Sequence, residues 1–417
     1  MREAVIVDAC RSPIGRAGDR GVFRAIGHTD MMVPVLKAIV ERNKLNPAMI
    51  DDVTMGSVAL QGIRLMLLVA GFPESIAGSD TTRQCASSTQ AIAIAAHSIM
   101  NDDADICIAA GLETMDRQGP LQPWQVGRRG APQMGAFSRG PALTEEQKAA
   151  TYPEGYKTAN NKLLPFLPPG MPMWIWDMGR TAEELSERFG IKREDSDAFA
   201  LTSHQKAVAA QDAGLFKSQI VPITISYDDG STEVIDKDQC PRRDTSLERL
   251  AVLPPSYKEN GLVTAGNSCP RSDGAGAVLL MSKEKAKQLG LKPMCTFRHA
   301  VAVGVDPTVM GIGPVPSTQK ILARTGMKID DFDIIEINEA FSCQVVYSIR
   351  HLGVNTAKLN PLGGAVAIGH PLGMTGTRQT ANIAHEMVRR NLRWGLATLC
   401  VGGGQGMATI FEREKSY

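Results

Sequence analysis

The sequence predicts an α/β fold on three observations. Short apolar strand candidates alternate with segments of helical period. A strand–loop–helix–strand order occurs in each half of the chain. At 417 residues the chain also exceeds one small core, and suits roughly two to three domains at ~150 residues each.

The first strand is read over residues 4–9, through Ala4, Val5, Ile6 and Val7, and a second over 52–60, with an amphipathic helix over 30–42 between them. After Cys85 comes Ala91-Ile-Ala-Ile-Ala-Ala96, apolar on every side and therefore predicted as a helix buried in the core. Residues 105–110 follow as a fully buried strand. In the second half a strand over 332–337 leads to a glycine-rich segment around His370. A helix over 376–390 and strands over 396–400 and 407–411 complete that half. Two similar α/β halves facing each other are expected.

Residues 117–176 break the rhythm. They are rich in Pro, Gly and Gln, carry Trp124, Trp174 and Trp176, and are expected to run over the surface. Helical order returns with a capping box at Thr181 and Glu184. A further helix over 195–212 is expected to end at Gly214.

Hydrophobic residues make up 43% and charged residues 21%, the balance of an ordinary globular protein. With 45 Lys plus Arg against 44 Asp plus Glu, the net charge of +1 offers no electrostatic footprint for nucleic acid or an anionic membrane. The eight cysteines show no C-x-x-C pair and no Cys/His spacing for zinc, so no metal is expected and the thiols are read as reduced and cytoplasmic. The start lacks signal character, the end at Tyr417 is not a peroxisomal tripeptide, and no apolar run is long enough to span a bilayer.

Four segments could carry chemistry. Cys85, in Thr81-Thr-Arg-Gln-Cys-Ala-Ser-Ser-Thr-Gln90, sits where a loop enters a buried helix, and first-turn amides there favour a thiolate. A buried inert cysteine fits that local pattern equally well. His370 lies in Gly363-Gly-Ala-Val-Ala-Ile-Gly-His-Pro-Leu-Gly373, where glycines permit close approach and an imidazole suits proton transfer; a lone loop histidine is more often without a role. Cys400 opens Cys400-Val-Gly-Gly-Gly-Gln-Gly406, whose spacing fits neither the dinucleotide fingerprint nor the P-loop. Asn338 and Glu339 close an apolar strand, either as site residues or as a polar end facing solvent.

Taken together and in this order, these segments resemble the thiolase family. The matching residues are Arg11-Ser-Pro-Ile-Gly15, Cys85, Gly111-Leu-Glu-Thr-Met115, Thr264-Ala-Gly-Asn267, Ser272-Asp-Gly-Ala-Gly-Ala277, Asn338-Glu-Ala-Phe341, Gly369-His-Pro371 and Cys400 through Gly406. The resemblance implies a five-layered αβαβα core of two duplicated halves with an inserted loop domain. The boundaries expected are 1–116 with 272–292, 117–271 for the insertion, and 293–417. It implies a homo-oligomer, dimer or tetramer, that uses coenzyme A as co-substrate, with no permanently bound cofactor.

The same resemblance assigns roles. Cys85 is the acylated nucleophile, His370 takes its proton, and Cys400 exchanges a proton with the α-carbon of acetyl-CoA. Two oxyanions arise: His370 and a water held by Asn338 serve one, and the amides of Cys85 and Gly402 serve the other, each donor being worth about 2.7–4 kcal/mol of barrier. Arg242, Tyr257 and Phe341 resemble CoA contacts; Met178 and Met310 resemble residues of the pantetheine or acyl pocket. Three positions depart from the pattern: Asp177 replaces a pocket histidine, Cys269 a serine that contacts pantetheine, and Leu362 an asparagine. The expected reaction is thiolytic cleavage of 3-ketoacyl-CoA through acyl-Cys85. Alternatives are an acetoacetyl-CoA-specific biosynthetic thiolase, a decarboxylating condensing enzyme of the same fold, and a non-catalytic acyl-CoA or lipid carrier.

Overall fold

The computed structural model describes residues 2–115, 177–227 and 229–414. The stretch 117–176, with its three tryptophans, lies outside the described residues. The strands are β1 (Ala4–Arg11), β2 (Gly15–Arg16), β3 (Asp52–Gly56), β4 (Ala77–Thr81), β5 (Ile106–Glu113), β6 (Ile223–Ser226), β7 (Thr232–Ile235), β8 (Ser272–Ser282), β9 (Cys295–Gly304), β10 (Ile334–Ile337), β11 (Trp394–Val401) and β12 (Gln405–Glu412). The described α-helices are α1 (His28–Arg42), α2 (Ile63–Val69), α3 (Ser87–Met100), α4 (Met178–Phe189), α5 (Arg193–Asp212), α6 (Leu247–Ala251), α7 (Lys283–Gln288), α8 (Pro314–Thr325), α9 (Ser342–Leu352), α10 (Ala365–Ile368) and α11 (Thr375–Arg390).

The duplication is visible in the strand order. One half reads β3-β5-β8-β1 and the other β10-β11-β12-β9, with β4 added at the edge of the first. In both halves the first pairing is parallel and the next two antiparallel. A parallel pairing needs a crossover connection, and α3 and α11 lie in those crossovers. The halves join where Val5 and Ile6 of β1 meet Thr296 and Cys295 of β9.

Separate apolar clusters define the layers. One packs α1 and α2 on the outer face of the first half, through Met31, Leu36, Ile39, Ile63 and Met55. A second holds α3 and α11 between the halves, through Ile92, Ala96, Ile99, Ile383 and Met387. A third covers the outer face of the second half with Ile321 of α8 and Val345 of α9. The result is helix, sheet, helix, sheet, helix. Burying both faces of each half is what makes its strands near-continuous apolar runs.

The central helices touch near their N-termini. The amide of Thr377 donates to Ser88 Oγ at 3.1 Å. A Cβ at Gly376 would lie 2.3 Å from Thr89 Oγ1 and 2.4 Å from its backbone nitrogen, so only glycine allows this approach.

Two local expectations fail. The strand expected over 52–60 stops at Gly56, because the amides of Val58 and Ala59 turn aside to donate to the buried carboxylate of Glu113. Helix α4 is capped not at Thr181 but at Asp177, whose side chain accepts from Gly179 and Arg180; Thr181 sits inside the helix and donates to the carbonyl of Met178. An earlier cap captured the free amides first. Gly214 does adopt the left-handed conformation, two residues past the end of α5.

Candidate active site

Cys85 sits two residues before α3, in a turn locked by Ser87. That hydroxyl accepts from the amide of Arg83 at 2.9 Å and donates to the carbonyl of Gln84 at 2.6 Å. The thiol is only 6% exposed. Burial pushes it up to about 11, against the pull of the Gly402 and Cys85 backbone amides that face it. The sequence suggested a thiolate favoured by the helix end. Loss of water outweighs that effect here, because desolvation disfavours the charged form.

His370 is held from several sides in the loop between α10 and α11. Its Nδ1 lies 2.6 Å from Thr375 Oγ1, and the single proton of that hydroxyl is directed to the carbonyl of Pro371. Nδ1 therefore donates, and Nε2 keeps its lone pair. Asn338 agrees with this tautomer: its Oδ1 accepts from Arg378 at 3.3 Å, which turns Nδ2 toward His370 Nε2 at 3.4 Å. Burial, then the nearby Arg378 charge, lowers the imidazole to about 3. It is neutral at physiological pH and presents an acceptor, as a general base must.

Cys400 ends β11, fully buried, with its thiol 3.7 Å from Gln344 Oε1. Burial holds it well above the ordinary thiol range, and negative charge on Cys85 or Cys269 would raise it further. The three sulfurs thus share one electrostatic environment. Cys269 belongs to a segment that pairs with 340–342, its amide donating to the carbonyl of Ala340 at 3.1 Å. Burial pushes Cys269 to about 12.

Met178, Tyr257, Met310 and Phe341 lie in one apolar cluster with Cys400. Tyr257 meets Phe341 edge-on at 6.2 Å between ring centres. Arg242 lies elsewhere, beside His204, whose Nδ1 accepts its backbone amide at 3.2 Å. A Cβ at Gly402 would only touch Gln84 at 3.6 Å, whereas one at Gly404 would lie 2.5 Å from the carbonyl of Val305. Of the departures, Asp177 caps α4, and Leu362 packs on Ala207 and Ala210 of α5. Among the described residues no group of His, Cys, Asp and Glu could hold a metal ion, and no helix is long and apolar enough to cross a membrane.

The structure adds a buried polar network of which the sequence singled out only Glu339 and Asn338. Arg378 pairs with Glu336 at 3.3 Å, both fully buried, and Asn382 donates to the same carboxylate. Burial pushes Glu336 up to about 7, with Arg378 opposing. Glu339 accepts from Ser203, Asn360 and the amide of Val366, fastening the loop that leads to His370. Glu113, also raised to about 7 by burial, accepts from Gly373 of the His370 loop at 3.0 Å and from Val58 at 2.9 Å. It ties one half to the other. The available signal was the polar content of the helix after His370, which periodicity alone treats as an exposed face.

The family model described as "Thiolase, N-terminal domain" matches residues 4–284, and "Thiolase, C-terminal domain" matches 291–413. The chain is 39% identical to the peroxisomal 3-ketoacyl-CoA thiolase B of Rattus norvegicus, over 98% of this chain and 91% of that protein. It is 39% identical to the acetyl-CoA acetyltransferase of Allochromatium vinosum, over 98% of each. The crystal structure of human mitochondrial 3-ketoacyl-CoA thiolase in complex with CoA superposes with a TM-score of 0.81 at 32% identity, covering 99% of this chain and 98% of that one. With both family models matched end to end on a duplicated αβαβα core, the chain belongs to the thiolase family.

Proposed function

We propose that this chain cleaves 3-ketoacyl-CoA with coenzyme A, releasing acetyl-CoA and a shortened acyl-CoA, through an acyl group carried on Cys85. The observation that carries the reading is the shared setting of Cys85, Cys400 and the Gly402 amide: a nucleophilic sulfur, a second sulfur and an oxyanion donor in one buried place. Membership of an acyltransferase family supports it, as do relatives named as 3-ketoacyl-CoA thiolase and acetyl-CoA acetyltransferase.

The dry site favours a neutral thiol and a neutral imidazole over the separated ion pair. His370 Nε2 therefore takes the Cys85 proton as the sulfur bonds to the ketone carbon, when the negative charge passes to the oxyanion. The amides of Cys85 and Gly402 receive that oxyanion. Collapse breaks the Cα–Cβ bond, leaves the acyl group on Cys85 and releases the acetyl-CoA enolate, held by His370 with Asn338 and protonated at carbon by Cys400. The thiol of a second CoA gives its proton to the Cys400 thiolate as its sulfur bonds to the acyl carbon; collapse breaks the bond to Cys85, whose sulfur takes its proton back from His370 as the acyl-CoA leaves. Cys400 suits carbon: a thiol held that high has a strongly basic conjugate base for the reverse step.

The degradative type is preferred because Asp177, used as a helix cap, supplies no pocket histidine. We assign the CoA and acyl contacts to Met178, Tyr257, Met310, Phe341, Cys269 and Arg242, the insertion to 117–271 and the core halves to 1–116 with 272–292 and 293–417. The cytoplasm is the proposed compartment. A homo-oligomer is proposed from the edge strand β4 and the exposed Leu65, Leu68 and Val69 of α2 beside it. The test is mass spectrometry of protein mixed with acetoacetyl-CoA, with kcat/KM for short, medium and long 3-ketoacyl-CoAs. An acyl adduct on Cys85, absent from Cys85→Ala together with a loss of turnover of at least about 10⁴-fold, is expected. Turnover that survives the substitution would end the proposal.

A further inference from the structure

The two amides assigned to the tetrahedral oxyanion belong to different halves of the duplicated core, so no short stretch of chain sets the distance between them. The Cys85 amide lies in the turn before α3. The Gly402 amide opens Gly402-Gly403-Gly404, the hairpin loop between β11 and β12, whose last strand pair is Val401 with Gln405. Gly403 and Gly404 both stand at φ +79°, and neither offers a side chain to hold the loop. Its far end is tied down, since the carbonyl of Gly404 accepts from the amide of Val305 at 2.8 Å. The near end, which carries the working amide, is reached from the other half.

Arg83, two residues before the nucleophile, makes that reach. Its Nε donates to Gln90 Oε1 on α3 at 2.9 Å, which fixes the guanidinium against the helix that follows Cys85. Its Nη1 donates to Gln405 Oε1 at 3.1 Å, across the boundary between the halves. The Gln405 amide is thereby oriented, with Nε2 turned to donate to the Gly402 carbonyl at 3.4 Å. The two ends of one side chain thus pass the position of Arg83 on to Gly402. Both acceptors of the guanidinium are neutral amides, so a charge-assisted grip is made without a carboxylate whose charge would oppose an oxyanion. Between Arg83 and Cys85 stands Gln84, a non-glycine residue at φ +44°, a strained conformation that persists only where its surroundings hold it.

We propose that Arg83 and Gln405 form a clamp that holds the Gly402 amide at the spacing from the Cys85 amide that one oxyanion requires. They are positioning residues, acting through the hairpin loop and not on the substrate. The inference rests on the proposed reaction through acyl-Cys85 and adds what aligns its oxyanion donors before charge develops. Preorganised donors stabilise a transition state only when they already point at the developing charge, and a misplacement of about 1 Å costs on the order of 10²-fold in rate.

The first measurement is hydrogen exchange of the peptide over 400–406, read by mass spectrometry in wild type and Arg83→Met. Both clamp residues are partly exposed, so their replacement spares the core; thermal unfolding checks the fold. Exchange about tenfold faster in the variant is expected, and unchanged exchange would overturn the clamp. The second is a kinetic cycle on acetoacetyl-CoA thiolysis with Arg83→Met, Gln405→Leu and the pair. Each single variant should lose about 10–100-fold in kcat with KM nearly unchanged, and the pair should lose no more than the worse single variant. Losses that multiply, or that fall on KM, contradict the proposal. Gln405→Glu is the sharper variant: it keeps the bond to Arg83 and removes the donor to the Gly402 carbonyl, so the fold holds while kcat falls as in Gln405→Leu. Wild-type kcat in that variant would sink the clamp. Hydrogen exchange needs no turnover, so a wild type that never acylates Cys85 would strike the proposed reaction and leave the clamp to be decided by exchange.

Discussion

Helices α3 and α11 hold equivalent places in the two halves, but beyond the first turn the buried face of α3 is wholly apolar whereas that of α11 stays rich in polar side chains. In α3 the buried face is Ser87, Ser88 and Thr89 in the first turn and then only Ala91, Ile92, Ala93, Ala95, Ala96 and Ile99; in α11 Thr375, Thr377, Arg378, Gln379, Thr380 and Asn382 are buried together with Ala381, Ile383, Ala384 and Met387. The difference follows from what each helix must hold. Beside α3 the working group is a sulfur facing backbone amides, in a tight turn that one hydroxyl, Ser87, ties in place. Beside α11 an imidazole must keep one tautomer, which takes Thr375 on one nitrogen and an amide oriented by Arg378 on the other. Buried polar groups hold such geometry only when they satisfy one another.

The comparison breaks most severely at the base. His370→Ala is expected to lower kcat for thiolysis by about 10²–10⁴-fold, read in steady-state assays, while the Cys85 turn stays folded. A loss below tenfold would mean that α11 holds no proton acceptor.

Next comes the network itself. Arg378→Met leaves Glu336 and the Asn338 carbonyl oxygen without their buried partner, at a cost of about 3–5 kcal/mol in urea unfolding. Because Glu336 stands near 7, the loss is expected to be larger at pH 8, where it is charged, than at pH 5. Equal losses at both pH values would show that the ion pair is not what stabilises α11.

Two buried groups, Glu113 in the first half and His370 in the second, carry opposite pH slopes. Glu113 is raised from 4.5 to about 7, so its contribution is complete below pH 4.5 and is lost as pH rises through 7. His370 is lowered from 6.5 to about 3, so its contribution is complete above pH 6.5 and is lost as pH falls toward 3. Glu113→Gln should remove the first decline and His370→Asn the second, each on the order of a few kcal/mol, in unfolding free energies measured from pH 4 to 8. The same sign of change in both variants would contradict the assignment.

The smallest effect is expected at Gly402→Ala. Its Cβ meets only Gln84 at ordinary contact distance, so stability should stay within about 0.5 kcal/mol. A melting temperature lowered by many degrees would show that the loop after Cys400 has no such space.

Much of this molecule is legible along the chain. The alternation of apolar runs and helical periods located both halves, and the short patterns around Cys85, Asn338, His370 and Cys400 named the reactive groups, because local steric needs leave local marks. The roles of Glu113, Glu336 and Arg378 left none: as charged residues they read as surface, and only their partners across the fold make burial tolerable. The cap at Asp177 was overlooked for a nearer reason, two competing caps within one turn.

By itself the sequence determined the duplicated α/β order and the identity of the groups with chemistry, since strand burial and a thiol's reactivity are properties of residues and their neighbours. Only tertiary structure decided the protonation states of those groups. Desolvation and partner charge act through space, and segments as distant as Gly402 and Cys85, or Arg378 and Asn338, must meet before either exists.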